Sequence, residues 1–175
     1  MDGYHLSRAQ LSALPDPATA HARRGAAFTF DGESFLELVR KLRQSVTAST
    51  PTFYAPSFDH AIKDPVADDI AIPPSARIVV FEGNYLSLNK SPWREAAELM
   101  DELWFVEVAF ETARSRLVKR HLQAGLVQDE AGAHKRVTES DLVNGEEIVN
   151  NKLPTHEVFI SRENEAWVQR ALAEV

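Results

Sequence analysis

Three short apolar runs, separated by segments with helical spacing, set the outline of the chain. Arg77-Ile78-Val79-Val80-Phe81-Glu82-Gly83 is a continuous apolar run closing on an acid and a glycine, the pattern of a strand buried on both faces of a parallel sheet. Leu103-Trp104-Phe105-Val106-Glu107-Val108 and His156-Glu157-Val158-Phe159-Ile160 predict two further strands. Between and around them the period changes. Asp31 is placed to cap a helix with Glu33 in its first turn, and Phe35, Leu36, Val39 and Leu42 follow at helical spacing and face a core. Ser91-Pro92 opens another helix, with serine as cap and proline at the first turn. A helix from about Thr112 ends near Gly125, a more polar helical stretch covers 135–151, and Glu163 to Leu172 closes the chain with Trp167, Val168 and Leu172 inward. Strands alternating with helices predict a parallel α/β sheet. Two regions interrupt the pattern. Pro15, Pro17 and Gly25 break up residues 6–30. Pro51, Pro56, Pro65, Pro73 and Pro74 make 45–75 read as a long irregular excursion, of the kind that is usually functional or mobile.

Composition narrows the class. The 175 residues suit one domain, 1–175, and 44% are apolar and 26% charged, as in an ordinary globular protein. There is no cysteine, so disulfides and thiolate metal sites are excluded. The apolar runs are strand-sized, which predicts no membrane span, and the Met1–His5 start has neither the basic nor the apolar region of a signal peptide. A cytoplasmic location is the expectation. The formal net charge of −7 argues against a nonspecific nucleic-acid binder, but a few arginines can still make a local site for an anion. The histidines at 5, 21, 60, 121, 134 and 156 form no close-spaced ligand pair, so a zinc site is not expected. Ser57 and Ser87 lack the G-x-S-x-G elbow of serine hydrolases. Trp93, Trp104 and Trp167 fall in predicted helices or strands and read as core.

Five segments in order carry a family resemblance: Met1-Asp2-Gly3-Tyr4-His5, Arg23 to Asp31, Phe81-Glu82-Gly83-Asn84-Tyr85, Arg116-Leu117-Val118-Lys119-Arg120-His121, and Ser140-Asp141-Leu142-Val143-Asn144. Together they resemble the P-loop small-molecule kinases of the uridine kinase, phosphoribulokinase and pantothenate kinase type, in particular the uridine-kinase-like branch. The resemblance implies a P-loop NTPase-like parallel sheet flanked by helices, with a lid at about 112–151. It also exposes a departure. In such kinases a first strand and a glycine-rich loop ending in Lys-Ser or Lys-Thr precede the Asp-Gly-Tyr-His segment, and that loop cradles the phosphates. No G-x-x-x-x-G-K-[ST] occurs here, and the seven glycines are scattered at 3, 25, 32, 83, 125, 132 and 145. The chain therefore reads as a truncated, incomplete version of the fold, natural or from a misplaced start of the coding sequence. The isolated chain is expected not to bind ATP with useful affinity. The family's first strand lies between those matching 77–82 and 103–109, so two apolar strand edges are expected to stand unpaired and to pair with a second copy or another chain.

The same resemblance implies the site. Asp2 matches the acid that addresses the attacking hydroxyl, and Glu82 a second acid that helps hold Mg²⁺. Independently of the family, an acid at the carboxyl end of a central strand lies where open α/β sheets bind ligands. Arg116 and Arg120 are four apart and project from one helix face; in the family such lid arginines neutralise the transferring phosphoryl group, and Arg136 is a further lid candidate on the nucleotide side. His5, Arg23 and Arg24, with Tyr54 and Tyr85, match positions near the acceptor, and the arginines favour an acceptor bearing phosphate or carboxylate. The bland readings are a solvated N-terminal acid, a strand-end carboxylate, helix-surface arginines and core tyrosines. The implied activity is an ATP- and Mg²⁺-dependent phosphotransferase acting on a small hydroxylated metabolite such as a nucleoside, sugar or pantothenate-like alcohol. The alternatives are a catalytically inactive remnant that binds a metabolite or partner, and an unrelated α/β binding protein.

Overall fold

A computed structural model describes residues 1–162. Its elements in chain order are α1 (Arg8–Ser12), α2 (Pro17–Ala22), α3 (Gly32–Leu42), β1 (Phe53–Asp59), β2 (Asp64–Ile72), α4 (Trp93–Ala97), β3 (Trp104–Glu107), α5 (Phe110–Gln123), α6 (Glu130–Arg136), α7 (Leu142–Asn150) and β4 (Glu157–Ile160). The closing helix expected over 163–172, with Trp167, lies outside the described residues.

Helix α3 forms where its pattern places it. The Asp31 carboxylate accepts from the Ser34 amide, and Phe35, Leu36 and Val39 are buried with Leu42 packed beside them. Around Phe35 gathers an aromatic core: Tyr4 and Phe81 meet its ring edge-on at 5.3 Å, and Phe30 and Tyr85 pack against Trp93. Such pairs add about 0.5–1.5 kcal/mol each beyond the area they bury. Helix α4 starts at Trp93 with Pro92 as its cap residue, one position later than Ser91-Pro92 predicts.

The stretch 45–75 is not an irregular excursion. It contains an antiparallel hairpin, with Phe53 opposite Ile72 and Asp59 opposite Asp64. Prolines disguise it, but each sits where a two-stranded ribbon tolerates one. Pro56 lies at the register shift between Ala55 and Ser57, and Pro65 near the start of β2; every strand of a two-stranded ribbon is an edge, where a missing N–H costs little. The Asp59 carboxylate accepts from the amides of Ala61 and Ile62 and so closes the turn.

β3 and β4 pair in parallel, with Trp104 opposite Glu157 and Glu107 opposite Ile160, as the predicted parallel sheet requires. The third predicted strand is absent. Residues 77–82 make no ladder with any described strand, because an apolar run becomes a strand only beside a hydrogen-bonding neighbour. Phe81 rests on the core, while Ile78 and Val80 are each 84% exposed. Nor is Trp104 core: it is 62% exposed and Val106 65%, with the Phe159 ring 5.4 Å from that of Trp104 on the same uncovered face.

Helix α5 ends at a Schellman turn: Gly125 takes a φ of +61°, and the Leu126 and Gly125 amides donate to the carbonyls of His121 and Leu122. The polar stretch expected over 135–151 is helical, continuing from α6 to Asn150. A π-helical turn over Val137–Asp141 joins α6 to α7 within it. Val118, Ala133, Val137 and Leu142 form a second, smaller core there.

The uncovered apolar face generates a prediction. At micromolar concentration the chain should self-associate, as measured by light scattering, because open apolar strand edges recruit other strands. The double substitution Ile78→Lys and Val106→Lys, at exposed positions, should shift it toward monomer without lowering its melting temperature. A wild-type chain that stays monomeric and unfolds cooperatively would contradict this.

Candidate functional site

The N-terminal residues make a single tight turn, Asp2–Tyr4. Tyr4 enters the core, where burial and the nearby Asp31 carboxylate push its phenol up to about 12. Gly3 is required by close approach: a Cβ there would stand 2.0 Å from the carbonyl oxygen of Pro56 in β1. The Met1 amino group donates to the Glu82 carbonyl. Asp2 and Glu82, the two predicted acids, are both exposed, and the Met1 contact sets their segments side by side.

His5 follows directly. Its Nδ1 lies 2.8 Å from the Asp2 carbonyl, and its ring packs between Phe30 at 4.0 Å and Phe58 at 5.1 Å. Burial lowers its pKa, and the Arg24 and N-terminal charges act the same way, against the raising influence of Asp2. His5 and Tyr54 line an open cleft of about 710 Å³ between the N-terminal turn, α3 and the hairpin, whose charged lining includes Asp31, Glu37, Lys41 and Asp68.

Arg23 and Arg24, adjacent in sequence, have opposite surroundings. Arg24 donates to the carbonyls of Leu6 and Lys63 and to the Asp64 carboxylate at 3.0 Å, and it lies over the Phe58 ring. Burial would raise the Asp64 carboxyl, but the Arg8 amide and the Arg24 and Arg8 guanidinium groups hold it below its ordinary value. Arg24 is thereby committed to the hairpin turn. Arg23 donates from Nη2 to the Asn144 side-chain oxygen at 2.8 Å, and the Nε of each of the two arginines is buried without a hydrogen-bond partner among the described residues. Tyr85 is fully buried and donates to the Gly25 carbonyl; burial first, then the Glu147 and Asp141 charges, raise its pKa despite Arg23, so it stays a donor.

The other predicted residues lie apart from these. Arg116 donates to Ser161 just after β4. Arg120, one turn further along α5, is exposed. Arg136 ends α6, half-buried, with its Nε unpartnered among the described residues. Among the described residues no three His, Asp or Glu side chains converge on a metal position; Mg²⁺ is ordinarily held by one or two carboxylates together with water and substrate phosphates.

No protein-family model matches the chain. Individual relatives do. The chain is 61% identical over 158 residues to the ATP-dependent kinase-like protein notR' of Aspergillus versicolor, an alignment covering 90% of this chain and 92% of that one. It is 45% identical over 144 residues to C227.14 of Schizosaccharomyces pombe, a protein provisionally named a uridine kinase, covering 82% of this chain and 60% of that one. The crystal structure of YFH7 from Saccharomyces cerevisiae, described as a P-loop containing kinase with a circular permutation, superposes with a TM-score of 0.81 at 32% identity over 94% of this chain and 57% of that one. The chain belongs to the uridine-kinase-like P-loop kinases. Its α/β fold is theirs, and it spans little more than half the length of the YFH7 and C227.14 chains.

Within this kinase fold several residues at the site escape sequence reasoning. Asp64 is hidden in the proline-rich stretch. Asp141 and Asn144 stand in a segment that carries the family resemblance, yet nothing local shows that they meet His121 and Arg23; their spacing of three, which puts both on one helix face, is the available signal.

His5 generates a test. Its lowered pKa means that the native state binds fewer protons than the unfolded chain below its ordinary value of 6.5. The stability it contributes is present above that pH and is lost as pH falls through the lowered folded value. In an NMR titration the His5 ring should have a midpoint below 6.5, and His5→Phe should flatten the fall in stability between neutral and mildly acid pH. A midpoint at or above 6.5 would refute the packing argument.

Proposed function

We propose that this chain is the acceptor-binding and lid portion of an ATP-dependent phosphotransferase acting on a small hydroxylated metabolite. What supports this most is the cleft beside the N-terminal turn, which His5 and Tyr54 line and next to which the turn carries Asp2, in a chain whose relatives are named an ATP-dependent kinase-like protein and an ATP-dependent kinase. Phosphoryl transfer demands mainly positioning and charge stabilisation. Asp2, exposed at the turn, orients the acceptor hydroxyl and takes its proton; His5 and Tyr54 hold the acceptor body; Arg116, Arg120 and Arg136 belong to the lid that closes over the transferred group. The backbone cradle for the donor phosphates is not encoded in the 175 residues, so transfer needs a P-loop segment in addition to them.

A second reading has its own observation. The uncovered face of Trp104, Val106 and Phe159 suits a non-catalytic module that binds its metabolite and docks on another chain.

The experiment joins a P-loop segment to the N-terminus and measures γ-phosphate transfer from ATP to a panel of small alcohols. Asp2→Asn keeps the shape and removes the proton acceptor. General-base contributions run to about 10²–10⁴-fold, so turnover should fall by at least about a hundredfold with acceptor binding little changed. Arg116→Ala and Arg120→Ala should also slow transfer and spare binding. Asp2→Asn turnover equal to the parent's would show that another carboxylate, Glu82 first, is the base; no transfer to any alcohol would favour the docking module.

A further inference from the structure

The cleft beside the N-terminal turn has a lining of one predominant charge. Asp31, Glu37 and Asp68 supply carboxylates, and among the described residues Lys41 is its one ammonium. Lys41 Nζ lies 2.7 Å from the Glu37 carboxylate, one turn earlier on α3, so these two offset each other. Asp31 accepts from the Ser34 amide and hydroxyl, neutral donors that leave its charge in place. His5 adds no charge at neutral pH, since burial lowers its pKa. Neither Arg23 nor Arg24 lines the cleft; they are held by Asn144 and Asp64 instead. A cleft lined by one sign of charge concentrates ions of the other sign.

Asp68 reaches this lining through an irregularity in the hairpin. The register passes from Ala55 opposite Ile70 to Ser57 opposite Val66, so Ala67, Asp68 and Asp69 stand opposite Pro56 alone. Such a bulge re-aims the side chains it carries, and this one falls where Pro56 meets Gly3 of the N-terminal turn. Asp68 takes a φ of +53°, a left-handed conformation that aspartate tolerates better than most residues. Among the described residues its carboxylate has neither a hydrogen bond nor an ion pair. Phe53 and Tyr54 of β1 share the lining, and Tyr54 is 52% exposed. Aromatic faces attract cations. Uncompensated carboxylates beside accessible aromatic rings are the surroundings that an ammonium group needs and that a phosphate or carboxylate avoids.

We propose that the cleft selects its alcohol by charge: it binds one bearing a protonated amine, takes a neutral one less tightly, and rejects one bearing phosphate or carboxylate. The inference rests on the reading of this cleft as the acceptor site. It reverses the preference for anionic acceptors that Arg23 and Arg24 suggest in the sequence, and it makes Asp68 a specificity-determining residue.

The test titrates the full, isotopically labelled chain with three alcohols of one two-carbon skeleton: ethanolamine, ethylene glycol and glycolate. The pH and ionic strength are held constant, and the His5 and Tyr54 resonances are followed by NMR. Affinities should fall in that order. A single charge at a partly exposed site changes affinity by about two- to fivefold. With two carboxylates uncompensated, ethanolamine should bind about fivefold or more tighter than glycolate, and added salt should narrow the gap. Asp68→Asn keeps a residue suited to the left-handed backbone; it should cut that ratio by about half or more and leave ethylene glycol unchanged. Glu98→Gln, at an exposed site just after α4 that does not line the cleft, removes the same net charge and should leave the ratio in place. Glycolate binding as tightly as ethanolamine, no response of His5 and Tyr54 to ethanolamine, or an equal loss in Glu98→Gln would each overturn the proposal. Since no nucleotide or transfer is involved, the two readings fail separately. An ethanolamine preference without transfer to any alcohol would remove only the kinase reading, and transfer in a chain that prefers glycolate would remove only this one.

Discussion

The Arg24 guanidinium holds together the parts from which the site is made. It reaches the Leu6 carbonyl, the Lys63 carbonyl and the Asp64 carboxylate at once, joining the N-terminal segment to the hairpin turn. A two-stranded hairpin is marginal by itself, and this one makes few apolar contacts beyond Ala55 and the half-buried Phe53 and Ile72. Charge-assisted hydrogen bonds contribute about 1.5–3 kcal/mol each where shielded, enough to decide whether such a ribbon is ordered. The close approach of Gly3 to Pro56 and the stacking of His5 on Phe58 follow from the same docking. The cleft exists because the hairpin is held there.

A second constraint organises the other side. Helix α7 meets three separate segments through Asp141, Asn144 and Glu147, and the π-helical turn ahead of it ends at Asp141, a feature frequent where a helix must re-aim side chains at a functional position. The segment around Arg23, helix α5 and the 81–92 segment therefore all meet one stretch of helix.

How far this could be read from residues alone varies with the kind of signal. Helix α3 was legible because Asp31, Phe35, Leu36 and Val39 declare cap and face locally. The C-terminal glycine of α5 was legible for the same reason. The parallel pairing of β3 and β4 followed from their apolar runs and the helices between them. The hairpin was not legible, since Pro56 and Pro65 signal a break unless both strands are known to be edges. Ile78 to Phe81 misled in the opposite direction: their composition suits a buried strand, and strand formation depends on a neighbour that local sequence does not describe. Tyr85 matched a site position, but the structure puts it in the core. The hydrogen-bond partners of Arg23 and Arg24 lie 121 and 40 positions away, which no local pattern reports.

The central claim is that an acceptor site stands assembled here without a phosphate cradle. It is tested by titrating the isolated, isotopically labelled chain with Mg-ATP and, separately, with a panel of nucleosides, sugars and pantothenate-like alcohols, with and without a phosphate or carboxylate group. The account predicts that an alcohol of the panel perturbs His5 and Tyr54 together in the absence of nucleotide, and that Mg-ATP shows no micromolar binding. Tight Mg-ATP binding with no response of these two residues to any alcohol would contradict it.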